Sequence, residues 1–227
     1  MGISAQKITE LYPVLFHMAA ARSWSSIRRH GLLSTSALLD LFEVDGDARR
    51  GIEEHHRPES VTIRHALYGQ AVVRDQKPMS DVGLKRALPP GFPPRKWYLL
   101  LNSKVFFWVT EDRLKVMMKA RAYRNLTKTV LHVDTAALLH AYSDRVTLAP
   151  MNTGCTQPFP HPRSTKTFQR LDSFPFEERR HRGRDAIVEL AVDGGVPDIV
   201  VFVKRVEEVR PNGRRITLWA PGGKAGK

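Results

Sequence analysis

The distribution of apolar residues predicts a series of strands along the chain. Residues 14–19 form an early apolar run that indicates a central strand containing His17. Residues 104–110 have the strongest β-character, because aromatic and β-branched residues follow one another there. Residues 185–192 indicate a buried strand that ends at an Asp-Gly-Gly turn. Further strands are predicted at 129–133 and 145–149, and a terminal hairpin at 203–209 and 214–219 around Pro-Asn-Gly.

Helices are predicted where apolar residues recur at helical spacing behind a capping side chain. Ser23 is a candidate N-cap and Gly31 a candidate terminating glycine for a helix over 23–30. A second helix is expected over 36–42. Thr110 and Asp134 each follow a predicted strand and are suited to cap the helix that comes next. This mixture of helices and strands predicts an α+β fold.

Glu189 conflicts with the apolar character of its strand. An ionised carboxylate inside a sheet costs several kcal/mol unless it is paired or faces a cleft. Two interpretations remain open from the local pattern. Either Glu189 points to bulk water from an exposed strand face, or it lies in a pocket where its charge is used.

A long proline-rich segment, residues 150–184, precedes this strand. A loop of this length inside a compact domain is usually functional or mobile. It ends in the densest positive cluster of the chain, which either contacts phosphates or is a solvated loop. The arginines of this cluster, which we predict as nucleic-acid-binding, are Arg179, Arg180, Arg182 and Arg184.

Composition limits the class of protein. The 227 residues carry 36 Lys and Arg against 23 Asp and Glu, a net charge of +13, which favours polyanionic partners such as nucleic acid. We predict one domain over 1–219 and a flexible basic tail over 220–227. No membrane-spanning run and no secretory signal are apparent, and the single cysteine, Cys155, fits a reducing cytoplasm.

Three motifs in a fixed order carry a resemblance to a known superfamily. A strand ending in Phe-His leads to the helix and Gly-Leu-Leu-Ser of residues 23–34. The aromatic strand Val-Phe-Phe-Trp-Val-Thr lies in the middle of the chain, and the Glu189 strand is followed by Val-Pro. In this order the motifs resemble those of ADP-ribosyltransferases, most closely the DarT-type DNA ADP-ribosyltransferases and related toxin-like proteins.

The resemblance implies a fold, a substrate and a set of site residues. The implied fold is a split β-sandwich of two small, mainly antiparallel sheets that meet at an NAD cleft, with flanking helices. NAD would be the substrate from which ADP-ribose is transferred, with nucleic acid as the acceptor. The resemblance assigns Glu189 as the catalytic glutamate and His17 as a ribose contact. It also assigns an aromatic wall for nicotinamide (Phe106, Phe107 and Trp108) and an NAD-contacting arginine, Arg74, with Arg64 in reserve.

Two other functions remain compatible with the sequence. An RNA 2′-phosphotransferase-like enzyme would use the same fold and would need arginines that grip an RNA phosphate. A non-catalytic nucleic-acid-binding module would keep the fold and the charge without consuming NAD. The chain has no Gly-rich dinucleotide fingerprint after a strand, so a Rossmann dehydrogenase is not supported.

Overall fold

A computed structural model describes residues 2–180 and 186–222 of the chain, which contain both helices and strands. The helices are α1 Ala5–Leu11, α2 Trp24–His30, α3 Thr35–Leu41, α4 Gly46–Glu53, α5 Asp81–Ala87, α6 Pro94–Asn102, α7 Glu111–Lys119, α8 Thr135–Tyr142 and α9 Phe176–Arg180. The strands are β1 Val14–Ala20, β2 Leu32–Leu33, β3 Val61–His65, β4 Gly69–Val73, β5 Lys104–Trp108, β6 Lys128–Asp134, β7 Val146–Ala149, β8 Glu189–Asp193, β9 Gly195–Val196, β10 Val203–Val209 and β11 Arg215–Trp219.

The largest sheet has seven antiparallel strands in the order β11-β10-β6-β1-β5-β8-β7. Its centre contains a seam between β1 and β5. Whereas β1 pairs with β6 along its whole length, it pairs with β5 through Phe16 and Trp108 alone. Below that pair, the Nδ1 atom of His17 lies 2.8 Å from the carbonyl oxygen of Phe106. The His17 side chain therefore takes the place of a backbone N–H of a neighbouring strand as the partner of the Phe106 carbonyl.

The α+β class predicted from the sequence is confirmed. The described residues form the seven-stranded sheet and two two-stranded sheets, β2-β9 and β3-β4. This arrangement is compatible with the predicted antiparallel sheets and flanking helices. The β2-β9 pair depends on Gly31, which has φ +87° and precedes β2. A Cβ at Gly31 would lie 2.4 Å from the Cα of Pro197, so a larger residue would push these segments apart.

Apolar packing places a cavity beside the seam. One face of the large sheet, with Leu15, Leu131 and Leu190, packs on α1, α2 and α8. The opposite face packs on α7. The β3-β4 hairpin with α3 and α4 forms a second apolar cluster, and α5 with α6 forms a third. Residues from these clusters line the cavity.

Most predicted elements are confirmed, and the differences have local causes. The strands predicted at 14–19, 104–110 and 129–133 and the terminal hairpin are present. Thr110 and Asp134 cap α7 and α8 through their side chains, whereas Ser23 makes no side-chain cap bond because its backbone is already helical. The strand predicted from 185 begins only at Glu189. None of the helices in the described ranges has both the length and the apolar content needed to cross a bilayer.

Candidate active site

A cavity of about 420 Å³ opens beside the β1–β5 seam. This volume lies within the range of small-molecule and cofactor sites in proteins. Its walls come from β1 and β5, from the end of β4, and from the loop that follows β7. Register aligns Phe16 of β1, Trp108 of β5 and Glu189 of β8 on three adjacent strands. At the usual strand spacing, Glu189 therefore lies roughly 10 Å from β1 across the sheet.

Glu189 is the buried carboxylate of this cavity. Its exposed fraction is 4 %, which excludes the interpretation that it faces bulk water. Its Oε2 atom accepts hydrogen bonds from the backbone N–H of Thr153 at 3.1 Å and from the Thr153 hydroxyl at 2.7 Å. Among the described residues no hydrogen bond reaches Oε1, so this oxygen is left for a ligand. Burial raises the pKa of Glu189 to about 7, and the bonds from Thr153 limit that rise.

The loop that carries Thr153 is fastened by a buried arginine. Arg163 has an exposed fraction of 3 % and donates to the carbonyl oxygens of Thr153 at 3.0 Å and Cys155 at 2.8 Å. Its guanidinium also lies 5.6 Å from the ring centroid of Trp97. Arg163 therefore fixes the loop residue that holds Glu189. The sequence analysis missed both Thr153 and Arg163, since nothing in a proline-rich loop distinguishes them from solvated residues.

We expect Thr153→Val to raise the pKa of Glu189 by about one unit, because the variant loses a hydrogen bond to the charged form. The measurement is a ¹³C NMR titration of the glutamate side-chain carboxyl resonance that disappears in Glu189→Gln. Thr153→Ser retains the hydroxyl and serves as the matched control, with a midpoint near that of the wild type. An unchanged midpoint in the valine variant would show that Thr153 does not set the protonation of Glu189.

His17 faces the cavity as a neutral imidazole. Burial is the main cause that lowers the pKa of His17 to about 4, and the nearby Arg74 contributes. Because the Phe106 carbonyl can only accept, Nδ1 carries the proton and donates to it. At neutral pH the Nε2 atom is then a hydrogen-bond acceptor. A ligand hydroxyl is the natural partner for that nitrogen.

Arg74 supplies a cation to the cavity wall, close to His17. It donates to the carbonyl oxygen of Met18 at 3.0 Å, and its guanidinium carbon lies 5.2 Å from the ring centroid of Tyr123. Its backbone carbonyl accepts from buried Arg57 at 2.7 Å, which fixes the end of β4. Arg57 also lines the cavity, was missed from the sequence, and has its pKa lowered to about 10 by burial. These contacts leave Arg74 with further N–H donors for an anionic ligand.

The three predicted aromatic residues occupy different positions. Phe106 and Trp108 are half-buried and lie on one face of β5, toward Glu189. Phe107 points to the other face, is 1 % exposed, and meets the His17 ring edge-on at 5.8 Å. All three line the cavity. Phe106 and Trp108 therefore present ring surface to it, while Phe107 orients His17.

Comparison with known proteins gives one match that covers most of the chain. A model of a family of unknown function, DUF7002, matches residues 13–203. The chain belongs to the DUF7002 family. The range shared with DUF7002 begins just before β1 and ends at the first residue of β10, so it contains the whole cavity wall and Glu189. No curated protein gives a significant match to the chain.

Three further predicted residues of this DUF7002 protein that the structure describes, Arg64, Arg179 and Arg180, do not line the cavity. Arg64 faces a separate shallow depression at the tip of the β3-β4 hairpin. Arg179 is half-buried with its guanidinium 5.8 Å from the ring centroid of Phe174, and Arg180 is exposed. Arg182 and Arg184 lie outside the described residues. Within residues 2–180 and 186–222, no cluster of three or more His, Cys, Asp or Glu side chains is arranged to hold a metal ion.

Proposed function

We propose that this protein is an NAD-dependent ADP-ribosyltransferase that cleaves the nicotinamide glycosidic bond and transfers ADP-ribose to a nucleic-acid acceptor. The observation that carries the proposal is the convergence of Glu189, His17, Trp108 and Arg74 on one cavity of suitable size. These side chains are among those that the resemblance to ADP-ribosyltransferases assigns, and they come from positions far apart in the chain. Their convergence in one cavity supports the proposal, because residues so far apart in the chain need not meet in the fold.

The proposed chemistry assigns a task to each group. As the bond between nicotinamide nitrogen and ribose C1′ breaks, its electron pair leaves with neutral nicotinamide, and positive charge develops on the ribose. The Glu189 carboxylate stabilises that charge through Oε1 and accepts the proton of the acceptor as the acceptor's lone pair bonds to C1′. Neutral His17 accepts a hydrogen bond from a ribose hydroxyl at Nε2. Trp108 and Phe106 contact the nicotinamide ring, and Arg74 contacts the pyrophosphate.

The raised pKa of Glu189 fits this assignment. A carboxylic acid with a pKa of about 7 is close to the optimum for taking a proton near neutral pH. A cationic nicotinamide ring beside Glu189 would further favour its ionised form. The same property is costly for a residue with a purely structural role.

We expect NAD to raise the unfolding temperature by about 3–5 °C at ten times its dissociation constant, because binding stabilises the folded state alone. Arg74→Ala should lose most of this shift, since it removes the pyrophosphate contact. Arg64→Ala, an arginine of the same hairpin outside the cavity, should keep it. The measurement is differential scanning fluorimetry, with each variant compared with its own ligand-free form. A shift that survives in Arg74→Ala, or none in the wild type, contradicts the proposal.

A further inference from the structure

A turn rich in basic residues borders the cavity. Met117, in the last part of α7, and Tyr123 line the cavity. Between α7 and β6 the chain makes a compact turn, held by backbone bonds from Tyr123 to Ala120 at 2.8 Å and from Leu126 to Tyr123 at 3.0 Å. The cations of this segment are Lys119, Arg121, Arg124 and Lys128, which we call the basic strip. The strip thus runs beside a residue that forms part of the cavity wall.

The three outer residues of the basic strip, Lys119, Arg121 and Arg124, are exposed. Lys119, Arg121 and Arg124 make no ion pair and no side-chain hydrogen bond with any residue in the described ranges. No acidic residue occurs between Asp112 and Asp134 along the chain, so local sequence supplies no counter-charge. Their charge is therefore available to a partner.

The inner end of the basic strip is a buried lysine. Lys128 has an exposed fraction of 4 %, and its ammonium nitrogen lies 5.5 Å from the ring centroid of Tyr123, the ring that Arg74 also contacts. Within the part of the chain that the structure describes, Lys128 forms no ion pair. Burial, followed by repulsion from Arg74, lowers the pKa of Lys128 to about 8. The neighbouring carboxylate, Asp75, accepts from the Tyr123 and Ser60 hydroxyls instead.

A bound anion would offset the cost of burying this cation. Arg74 and Lys128 both contact the Tyr123 ring, and the three outer cations extend the positive surface along the turn. Repeated charges match a polyanion with regularly spaced phosphates. Leu126, an apolar side chain with 46 % exposure, lies within the same turn and offers contact area for a sugar or base. These features together fit a nucleic-acid strand better than an isolated phosphate.

We propose that the basic strip binds the sugar–phosphate backbone of a single-stranded nucleic acid and leads it to the cavity. The single-stranded form rests on the proposed function, because Glu189 is 4 % exposed and the acceptor atom has to enter the cavity to reach it. This surface differs from the 179–184 cluster predicted from the sequence. Of that cluster, the described residues Arg179 and Arg180 do not line the cavity.

The test is the affinity for a fluorescein-labelled 20-nucleotide single strand, measured by anisotropy without NAD at several salt concentrations. The variant Lys119→Gln/Arg121→Gln/Arg124→Gln should bind about 100-fold more weakly at 0.1 M salt. The slope of log affinity against log salt should fall in magnitude by about 2, since each lost phosphate contact on a single strand contributes about 0.7.

The matched control is Lys85→Gln/Arg86→Gln/Lys96→Gln, which removes the same charge from three exposed residues of α5 and α6 that make no ion pair with any other described residue. Its affinity should stay within about threefold of the wild type. Equal losses in the two variants would mean that net charge alone drives binding and would overturn the assignment, as would equal affinity for a duplex or for polyglutamate of the same charge. The variant Lys119→Gln/Arg121→Gln/Arg124→Gln should keep wild-type release of nicotinamide from NAD without a strand, so failure of NAD cleavage and failure of this surface are distinguishable.

Discussion

Glu189→Gln is expected to lower the rate of nicotinamide release from NAD by about 10³-fold while leaving the protein folded. The substitution removes the negative charge that would stabilise the developing ribose cation and the base that would accept a proton, and each effect is typically worth 10² to 10⁴-fold. Glutamine has nearly the shape of the acid, and its carbonyl oxygen can still accept both bonds from Thr153. Activity should therefore be lost without loss of the site geometry.

The measurement is nicotinamide release by chromatography at saturating NAD, with and without a single-stranded acceptor. Glu207→Gln is the matched control, because Glu207 is also a buried strand carboxylate but binds His132 at 2.8 Å away from the cavity. Glu207→Gln should retain nicotinamide release within a few-fold, provided that circular dichroism shows a native fold. Wild-type turnover in Glu189→Gln would remove Glu189 from the mechanism and the enzyme proposal with it.

The site residues that could be predicted from the sequence are those that stand out within a short stretch of the chain. His17 and Trp108 interrupt or end strongly apolar strands, and a carboxylate such as Glu189 within a buried strand is rare enough to stand out. The strands themselves follow from apolar runs and turn residues, which act over a few positions. Their neighbours in the sheet follow from long-range pairing, so the seam between β1 and β5 could be seen only in the structure.

The parts that were missed depend on tertiary contacts between distant residues. Arg163 is one of many arginines in a basic chain, and its burial results from packing on Trp97, 66 positions earlier. Thr153 lies in an irregular loop, where no periodicity marks the residue that will meet Glu189. The continuity of the seven-stranded sheet likewise depends on one pair, Phe16 with Trp108. Long-range geometry, rather than composition, decided each of these points.

Glu189 and His17 share a property that links the site to stability. Both are held in a surrounding that disfavours their charged forms, so each shifts its pKa toward the neutral state. In the folded protein Glu189 therefore stays protonated to a higher pH than a free glutamate, and His17 stays neutral to a lower pH than a free histidine. Folding therefore responds to pH through these two groups with opposite signs.

The direction of each group's effect on stability follows from whether the folded or the unfolded chain binds more protons at a given pH. Between pH 4.5 and about 7 the folded protein keeps a proton on Glu189 that the unfolded chain has lost, so this group's contribution to stability falls as pH rises. Between pH 6.5 and about 4 the unfolded chain protonates His17 while the folded protein does not, so that contribution falls as pH decreases. Each shift corresponds to about 3 kcal/mol at its limit. In the window where they overlap, the two effects largely cancel in the wild type.

Replacing either residue should therefore make the pH dependence contributed by the other one visible in the stability of the variant. The unfolding free energy of Glu189→Gln minus that of the wild type should rise by about 3 kcal/mol from pH 4.5 to 7 and then level off. For His17→Asn, whose amide can still donate to the Phe106 carbonyl, the same difference should rise by about 3 kcal/mol from pH 6.5 down to 4. Urea unfolding across pH 4–8 measures both differences, and subtraction of the wild type removes the contribution of all other titrating groups.

The double variant provides the control for this pair. If the two groups titrate independently, its difference from the wild type should equal the sum of the single differences at every pH. A flat difference for Glu189→Gln would mean that the carboxyl group is ionised in the folded protein at pH 5 and is not held in a desolvated pocket. The expected result instead has Glu189→Gln more stable than the wild type at pH 8. The residue proposed to carry catalysis would then be one that the fold retains at a cost to its own stability, as is common for groups kept for function.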